Sequence, residues 1–165
     1  MSGTRWLDGD EQRTWRAFLS ASTLLFDQLD RELQRNSGIP HAYYEILVRL
    51  SEAEGRALRM SELARNSLSS RSRLSHAVAR LEESGWVRRE SVETDRRGSV
   101  AVLTDAGYAA LTAAAPAHVE GVRSHLFDQL TPAQQCELRA ACEAITEHLT
   151  APVNPLLRTE LVQET

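Results

Sequence analysis

Residues 70–107 read SRSRLSHAVARLEESGWVRRESVETDRRGSVAVLTDAG, and the succession of periodicities within them decides the fold. Leu74, Ala77, Val78 and Leu81 fall on one side of a helix at 100° per residue, so residues 70–84 are expected to be helical. Ser70 is the expected N-cap, because its hydroxyl can accept a backbone N–H that the first turn leaves unpaired. Gly85 supplies the left-handed residue that closes such a helix. Residues 86–91 and 99–103 then read as two short strands, with the polar stretch 92–98 as the turn between them. Thr104 is the expected cap of a following helix, with Asp105 at that helix's positive end.

Working outward, Trp15, Phe18, Leu19, Leu25, Phe26, Leu29 and Leu33 recur at helical spacing and mark an amphipathic helix over residues 8–35. Asn36, Ser37, Gly38, Ile39 and Pro40 end it. A second helix is expected over 41–51, a turn at 54–56, a short helix over 60–66 and a further turn at 67–70. Beyond Thr104 a long helix is expected to run to somewhere in 119–130. Thr131 and Pro132 start the last helix, with Leu138, Ala141, Cys142, Ile145 and Leu149 on one face. Four helices, a hairpin and two helices make a mainly α fold with a small β-hairpin wing, the winged helix-turn-helix.

The chain has 165 residues, 42% hydrophobic and 25% charged, as expected of one globular domain with room for a subdomain. Its longest apolar runs are a few residues, so no membrane span is expected. Asp8, Asp10 and Glu11 follow Arg5 closely, which does not read as a secretion signal, and a cytoplasmic location is expected. Cys136 and Cys142 are too few for a disulfide scaffold and fall on different sides of a helix, so they read as buried small hydrophobes and not as redox sensors. All 19 basic residues are arginine and the net charge is −4. That average hides a segregation. Residues 56–100 carry ten arginines against six acids, a balance of +4, and the remainder carries nine against seventeen, a balance of −8. A basic middle between acidic ends is the electrostatic footprint of a DNA-binding module.

On the 70–84 helix, Ser72, Arg73, His76, Ala79 and Arg80 lie opposite the apolar face, with Ser75 at its edge. Serine and alanine permit close approach to a major groove, and arginine can reach guanine O6 and N7 with two bonds. An ordinary solvated face would interleave acids, whereas here none comes before Glu82.

These residues resemble the MarR family of winged-helix transcriptional regulators, over about residues 10–150. Met60-Ser61-Glu62-Leu63-Ala64 is similar to the family's first helix of the helix-turn-helix. Leu81-Glu82-Glu83-Ser84-Gly85-Trp86-Val87 resembles the end of its recognition helix and the approach to the wing. Asp95-Arg96-Arg97-Gly98 and Leu103-Thr104-Asp105-Ala106-Gly107 resemble the wing signature and the helix after it. Ser69 departs from the pattern, since relatives commonly place an aliphatic residue before the cap.

The resemblance implies that Arg97 enters a minor groove, where a guanidinium is drawn to the negative potential. It implies that Asp95 braces the wing against a recognition-helix arginine, for which Arg80 is the candidate. The expected DNA-binding set is Ser70, Arg71, Ser72, Arg73, Ser75, His76, Arg80, Asp95, Arg96 and Arg97, with Arg71 and Arg96 on phosphates. The resemblance also implies an N-terminal dimerisation helix (1–39), a winged lobe (40–104), C-terminal dimerisation helices (105–151) and a flexible tail (152–165). The expected partners are double-stranded DNA, a second copy in a homodimer, and a small aromatic ligand such as a phenolic carboxylate. Trp15, His41 and Tyr44 are the ligand candidates, and repression is the expected output. A protein-binding winged helix and a ligand-independent regulator stay open as alternatives.

Catalysis is not expected. His41, Tyr43, Tyr44 and Glu45 can form an acid–base cluster, but no phosphate loop, nucleophile motif or HExxH is present. His118 and His125 are too far apart on one helix to share a metal without further ligands. No cofactor and no metal are expected.

Overall fold

The computed structural model describes residues 3–66, 71–92 and 95–150, with the backbone alone at 65, 66, 71, 92 and 95–98. The expected Ser70 cap and the 152–165 tail lie outside the described residues. The chain divides after His125 into two compact units.

In the first unit, α1 (Gly9–Ser37) opens on a capping box. Asp8 accepts from Asp10 N and Glu11 N, each at 2.8 Å, and Glu11 accepts from Asp8 N at 2.9 Å. Gly38, left-handed at φ 71°, closes the helix. Its buried side chains, Leu29 and Leu33, both lie near this end. α2 (His41–Glu52) starts after Pro40, which offers no side-chain cap. Asp30 of α1 takes that role by accepting from His41 N at 2.8 Å. Tyr44, Ile46, Leu47 and Leu50 bury the inner face of α2.

A tight turn at Glu54–Arg56 has both Gly55 (φ 62°) and Arg56 (φ 56°) in the left-handed region, which arginine rarely adopts. The Arg56 guanidinium lies 3.9 Å over the Tyr108 ring and 3.3 Å from Asp105, and these contacts hold it there. β1 (Ala57–Arg59), α3 (Met60–Asn66), α4 (Arg71–Glu83), β2 (Val87–Val92), β3 (Asp95–Leu103) and α5 (Asp105–His125) follow. The sheet is antiparallel in the order β1-β3-β2.

Two expectations need correction. β1 was not legible, since three residues show no alternation, yet Ala57 pairs with Val102 and Arg59 with Val100. The hairpin also runs further than its apolar residues suggest. Val92 pairs with Asp95 beyond a bulge after Ser91, so Asp95, Arg96 and Arg97 lie on β3 and not in a 92–98 turn. Backbone pairing extends such a ladder without any core to bury.

The core gathers α2, α3, α4 and the sheet around Leu47, Leu50, Leu63, Leu74, Val78 and Leu81. α4 ends in a Schellman motif: Trp86 N donates to Leu81 O and Gly85 N to Glu82 O, both at 2.9 Å, around a left-handed Gly85. Thr104 caps α5 by accepting from Gly107 N at 3.0 Å, as expected from sequence.

The second unit holds a short turn, Phe127–Gln129, and α6 (Pro132–Thr150). Thr131 and Gln134 form its capping box. α5 stops at His125, inside the range of 119–130 expected for its end. No residue of α6 is buried: Leu138, Ile145 and Leu149 are exposed, and Cys136 and Cys142, expected to be buried, are exposed as well. Among the described residues no helix is long and apolar enough to cross a membrane.

Gly107 has a requirement of its own. A Cβ there would collide with the Trp86 carbonyl and approach Leu103 Cδ1 to 2.8 Å. Gly107→Ala should therefore cost about 3 kcal/mol, the upper end of the usual overpacking penalty. Gly9→Ala, whose Cβ would meet only the flexible Arg13 side chain at 3.6 Å, should not destabilise. Thermal melts of the two variants check the contrast.

Candidate nucleic-acid interface

α4 separates its faces cleanly. Leu74, Val78 and Leu81 are at most 2% exposed. Ser72, Arg73, Ser75, His76 and Arg80 are all exposed on the opposite side, so the structure brings these five candidates together. The first turn of α4 holds no acid. Hydroxyls, an imidazole and guanidiniums on one narrow helix face can donate to acceptors in a groove about as wide as a helix. Ser70 lies outside the described residues. Arg71 is the first residue of α4, and Asp95, Arg96 and Arg97 begin β3, the central strand of the sheet. The side chains of these four lie outside the described residues, and the expected Asp95–Arg80 brace with them. The Arg80 guanidinium has Glu83 as a partner at 2.7 Å.

The hairpin itself is fastened to α4 by a residue that helical periodicity does not single out. Arg89 of β2 lies 3.0 Å from Glu82 Oε2 through Nε and donates from Nη2 to the Ser75 carbonyl at 2.8 Å. A guanidinium bound to a main-chain oxygen leaves no mark in side-chain spacing. An acid–arginine pair flanking Gly85 was the available signal.

The candidate ligand residues divide. His41 and Tyr44 come together with a third ring, His118 of α5, whose centroid lies 5.5 Å from His41 and 4.5 Å from Tyr44. Phe26 of α1 meets the far side of His41 edge-on at 5.7 Å. Trp15 does not join them. It stacks on Phe18, half exposed, and is about 16 Å along α1 from Phe26 at 1.5 Å per residue. Between α1 and α5 a cavity of about 10 Å³, room for a single water, is lined by Leu29, Leu33, Asn36, Ala114 and His118. That is smaller than the usual ligand site. His125 turns to Glu32 at 2.8 Å, away from His118.

The sequence profile of the MarR family matches residues 37–98. Sco3205, a MarR family transcriptional regulator from Streptomyces coelicolor solved in complex with DNA, is 52% identical. The match covers 92% of this chain and 95% of that one, with a TM-score of 0.87. The chain belongs to the MarR family. AbsC, a MarR family transcriptional regulator from the same organism, is 47% identical over 90% of this chain and all of that one, with a TM-score of 0.83. The HTH-type transcriptional regulator PecS of Dickeya dadantii is 31% identical over 93 residues. This chain spans about half of PecS, 55% of its length.

In this MarR-family chain the His118 ring is the most informative titrating group. Burial lowers its pKa below the ordinary 6.5, His41 lowers it further, and Glu45 opposes both. Its Nδ1 is buried without a hydrogen-bond partner. Above pH 6.5 the imidazole is neutral folded and unfolded, so it has no effect on stability. Below 6.5 the unfolded chain takes up the proton first, and stability falls until the folded-state pKa is passed. Glu32, held below its ordinary 4.5 chiefly by a hydrogen bond with His125, acts only at lower pH. The thermal midpoint should drop between pH 7.5 and 5.5, and His118→Phe should flatten that drop. An equal slope in the variant would assign the loss to other groups.

Proposed function

We propose that this protein is a homodimeric, sequence-specific DNA-binding transcriptional regulator, with α4 as its recognition helix and the β2–β3 hairpin as its wing. The observation that carries the reading is the exposed Ser72, Arg73, Ser75, His76 and Arg80 face, set opposite a fully buried one. The 52% identity to Sco3205, solved on DNA, supports it. Repression is the expected output, because a dimer seated across a duplex excludes other proteins from it, and the cytoplasm is the expected location.

Homodimerisation is supported by the apolar residues that the chain leaves in water. Trp15, Phe18 and Leu19 on α1 and Leu138, Ile145 and Leu149 on α6 are each at least 40% exposed. A second copy covers such surfaces. A two-fold dimer then reads a pseudo-palindrome with half-sites about one helical turn apart. Selection of bound duplexes from a random pool tests this directly. Failure to enrich any sequence at moderate salt would leave the winged fold as a protein-binding module. Truncation before Pro132 removes α6 and should yield a monomeric or insoluble chain without specific affinity, as read by sedimentation and gel shift.

Single substitutions assign the roles. Arg73→Ala should relax selectivity at particular bases, at about 1–3 kcal/mol for a bidentate contact. Arg97→Ala should weaken binding most at A·T-rich flanks, where groove width is read. Arg71→Ala and Arg96→Ala should lower affinity evenly and reduce the salt slope by about one each, as phosphate contacts do. Equal losses on every sequence from all four would mean that α4 reads no bases.

A small aromatic carboxylate is the proposed releasing ligand, held near His41, Tyr44 and the orphaned His118 Nδ1. Trp15 enters this proposal only as part of the apolar α1 surface. Release of DNA by a panel of phenolic acids, and its loss in Tyr44→Phe or His41→Ala, tests the site.

A further inference from the structure

Three hydrogen-bonding groups of one residue join the hairpin to the helix beneath it. The Arg89 backbone N–H donates to Glu82 Oε1 at 3.0 Å, Nε lies 3.0 Å from Oε2 of the same carboxylate, and Nη2 donates to the Ser75 carbonyl at 2.8 Å. Helical side chains lean toward the N-terminus of their helix, so Glu82 reaches back along α4. The fork thereby spans from the last turn of α4 to its middle. The gripped carbonyl belongs to the turn that carries Ser72, Arg73 and His76. A planar guanidinium held through two of its nitrogens fixes direction as well as distance.

We propose that Arg89 is a positioning residue, which locks the rotation of α4 about its axis against the β2–β3 hairpin without itself touching nucleic acid. The proposal rests on the DNA-binding reading above. Two elements that must enter adjacent grooves together bind tightly only if their relative angle is set beforehand, since ordering them on contact costs affinity. Arg89 suits this and not phosphate contact. Its Nε, Nη2 and backbone N–H are committed to the protein, its charge faces Glu82, and only a third of its side chain is exposed. Successive strand residues face opposite sides. Arg88 therefore points away from α4, and it pairs along its own strand with Glu90 at 2.7 Å.

The test compares wild type, Arg89→Lys, Arg89→Ala and Arg88→Ala on a selected duplex and on a scrambled one, across a range of salt. Arg89→Lys keeps the charge and loses the fork. Both Arg89 variants should bind the selected duplex about tenfold more weakly, the worth of one charge-assisted hydrogen bond. Their affinity for the scrambled duplex and their salt slope should stay as in wild type. Arg88→Ala should stay within about twofold on both duplexes, as an ordinary surface substitution does. A salt slope reduced by about one in Arg89→Ala but kept in Arg89→Lys would show a phosphate contact and overturn the proposal. So would unchanged selectivity in both variants.

A second measurement does not depend on DNA. Spin labels at Ala79→Cys on α4 and Ser91→Cys on β2, in a background with Cys136 and Cys142 replaced by serine, report the helix–hairpin distance distribution. It should broaden in Arg89→Lys, which also serves if Arg89→Ala fails to fold. An unchanged distribution overturns the fork as a positioning device. A broadened one in a protein that selects no DNA sequence retains the fork and removes the DNA-binding reading.

Discussion

One carbonyl oxygen, that of Trp86, fixes how the winged lobe closes. It accepts from Thr104 N at 3.0 Å, and the Thr104 hydroxyl donates next door to the Gly85 carbonyl at 2.7 Å. The same hydroxyl accepts from Gly107 N, and Gly107 presents a bare Cα to the Trp86 oxygen. The end of α4, the start of β2, the end of β3 and the start of α5 thus meet within a few residues. Three residues make the joint possible: the left-handed Gly85, the capping Thr104 and Gly107, which has no room for a methyl. The hairpin can extend into solvent as a polar ladder because its base is fixed there and by Val87, Ala101 and Leu103 in the core.

That joint explains why much of the fold was legible. α3 lies at 60–66 as its pattern indicated, and α4 closes on Gly85. α4 carries strong periodicity closed by a residue with a backbone reason to be there. The features that escaped share a different physics. β1 is too short to alternate, and the hairpin beyond Ser91 is held by main-chain pairing that polar side chains do not advertise. Arg89 was hidden because its partner is a carbonyl of another element. His118 was weighed as a metal ligand with His125 and instead packs on Tyr44 and His41. The separation of Trp15 from His41 was available from helix rise alone, given that Phe26 is what α1 brings to His41.

The electrostatics follow the same division of labour. Arginines of the basic segment that bond within the fold do so with acids close in sequence, as in Arg80–Glu83 and Arg88–Glu90, or with an acid of a packed neighbour, as in Arg89–Glu82 and Arg56–Asp105. Most of these pairs are well exposed, where an ion pair contributes little to stability. Their effect is on direction. They set where each guanidinium points while the core beneath supplies the cohesion.

The capped first helix has a consequence for how the protein persists in dilute solution. α1 is 29 residues long, about 43 Å at 1.5 Å per residue, and its buried side chains are Leu29 and Leu33 near one end. Helices in water draw most of their stability from a packed face, and an isolated segment the length of the unpacked N-terminal half is marginal. The N-terminal half of α1 behaves as a cantilever, anchored at Leu33 and stiffened at its tip by the Asp8–Glu11 box and by the exposed Arg5–Glu11 and Arg13–Asp10 ion pairs. In the proposed homodimer its order becomes a quantity governed by mass action. At protomer concentrations where its Trp15–Leu19 stretch is covered, the lever is rigid. On dilution it frays from the tip inward, and the slowing of backbone amide exchange along it becomes a gauge of association.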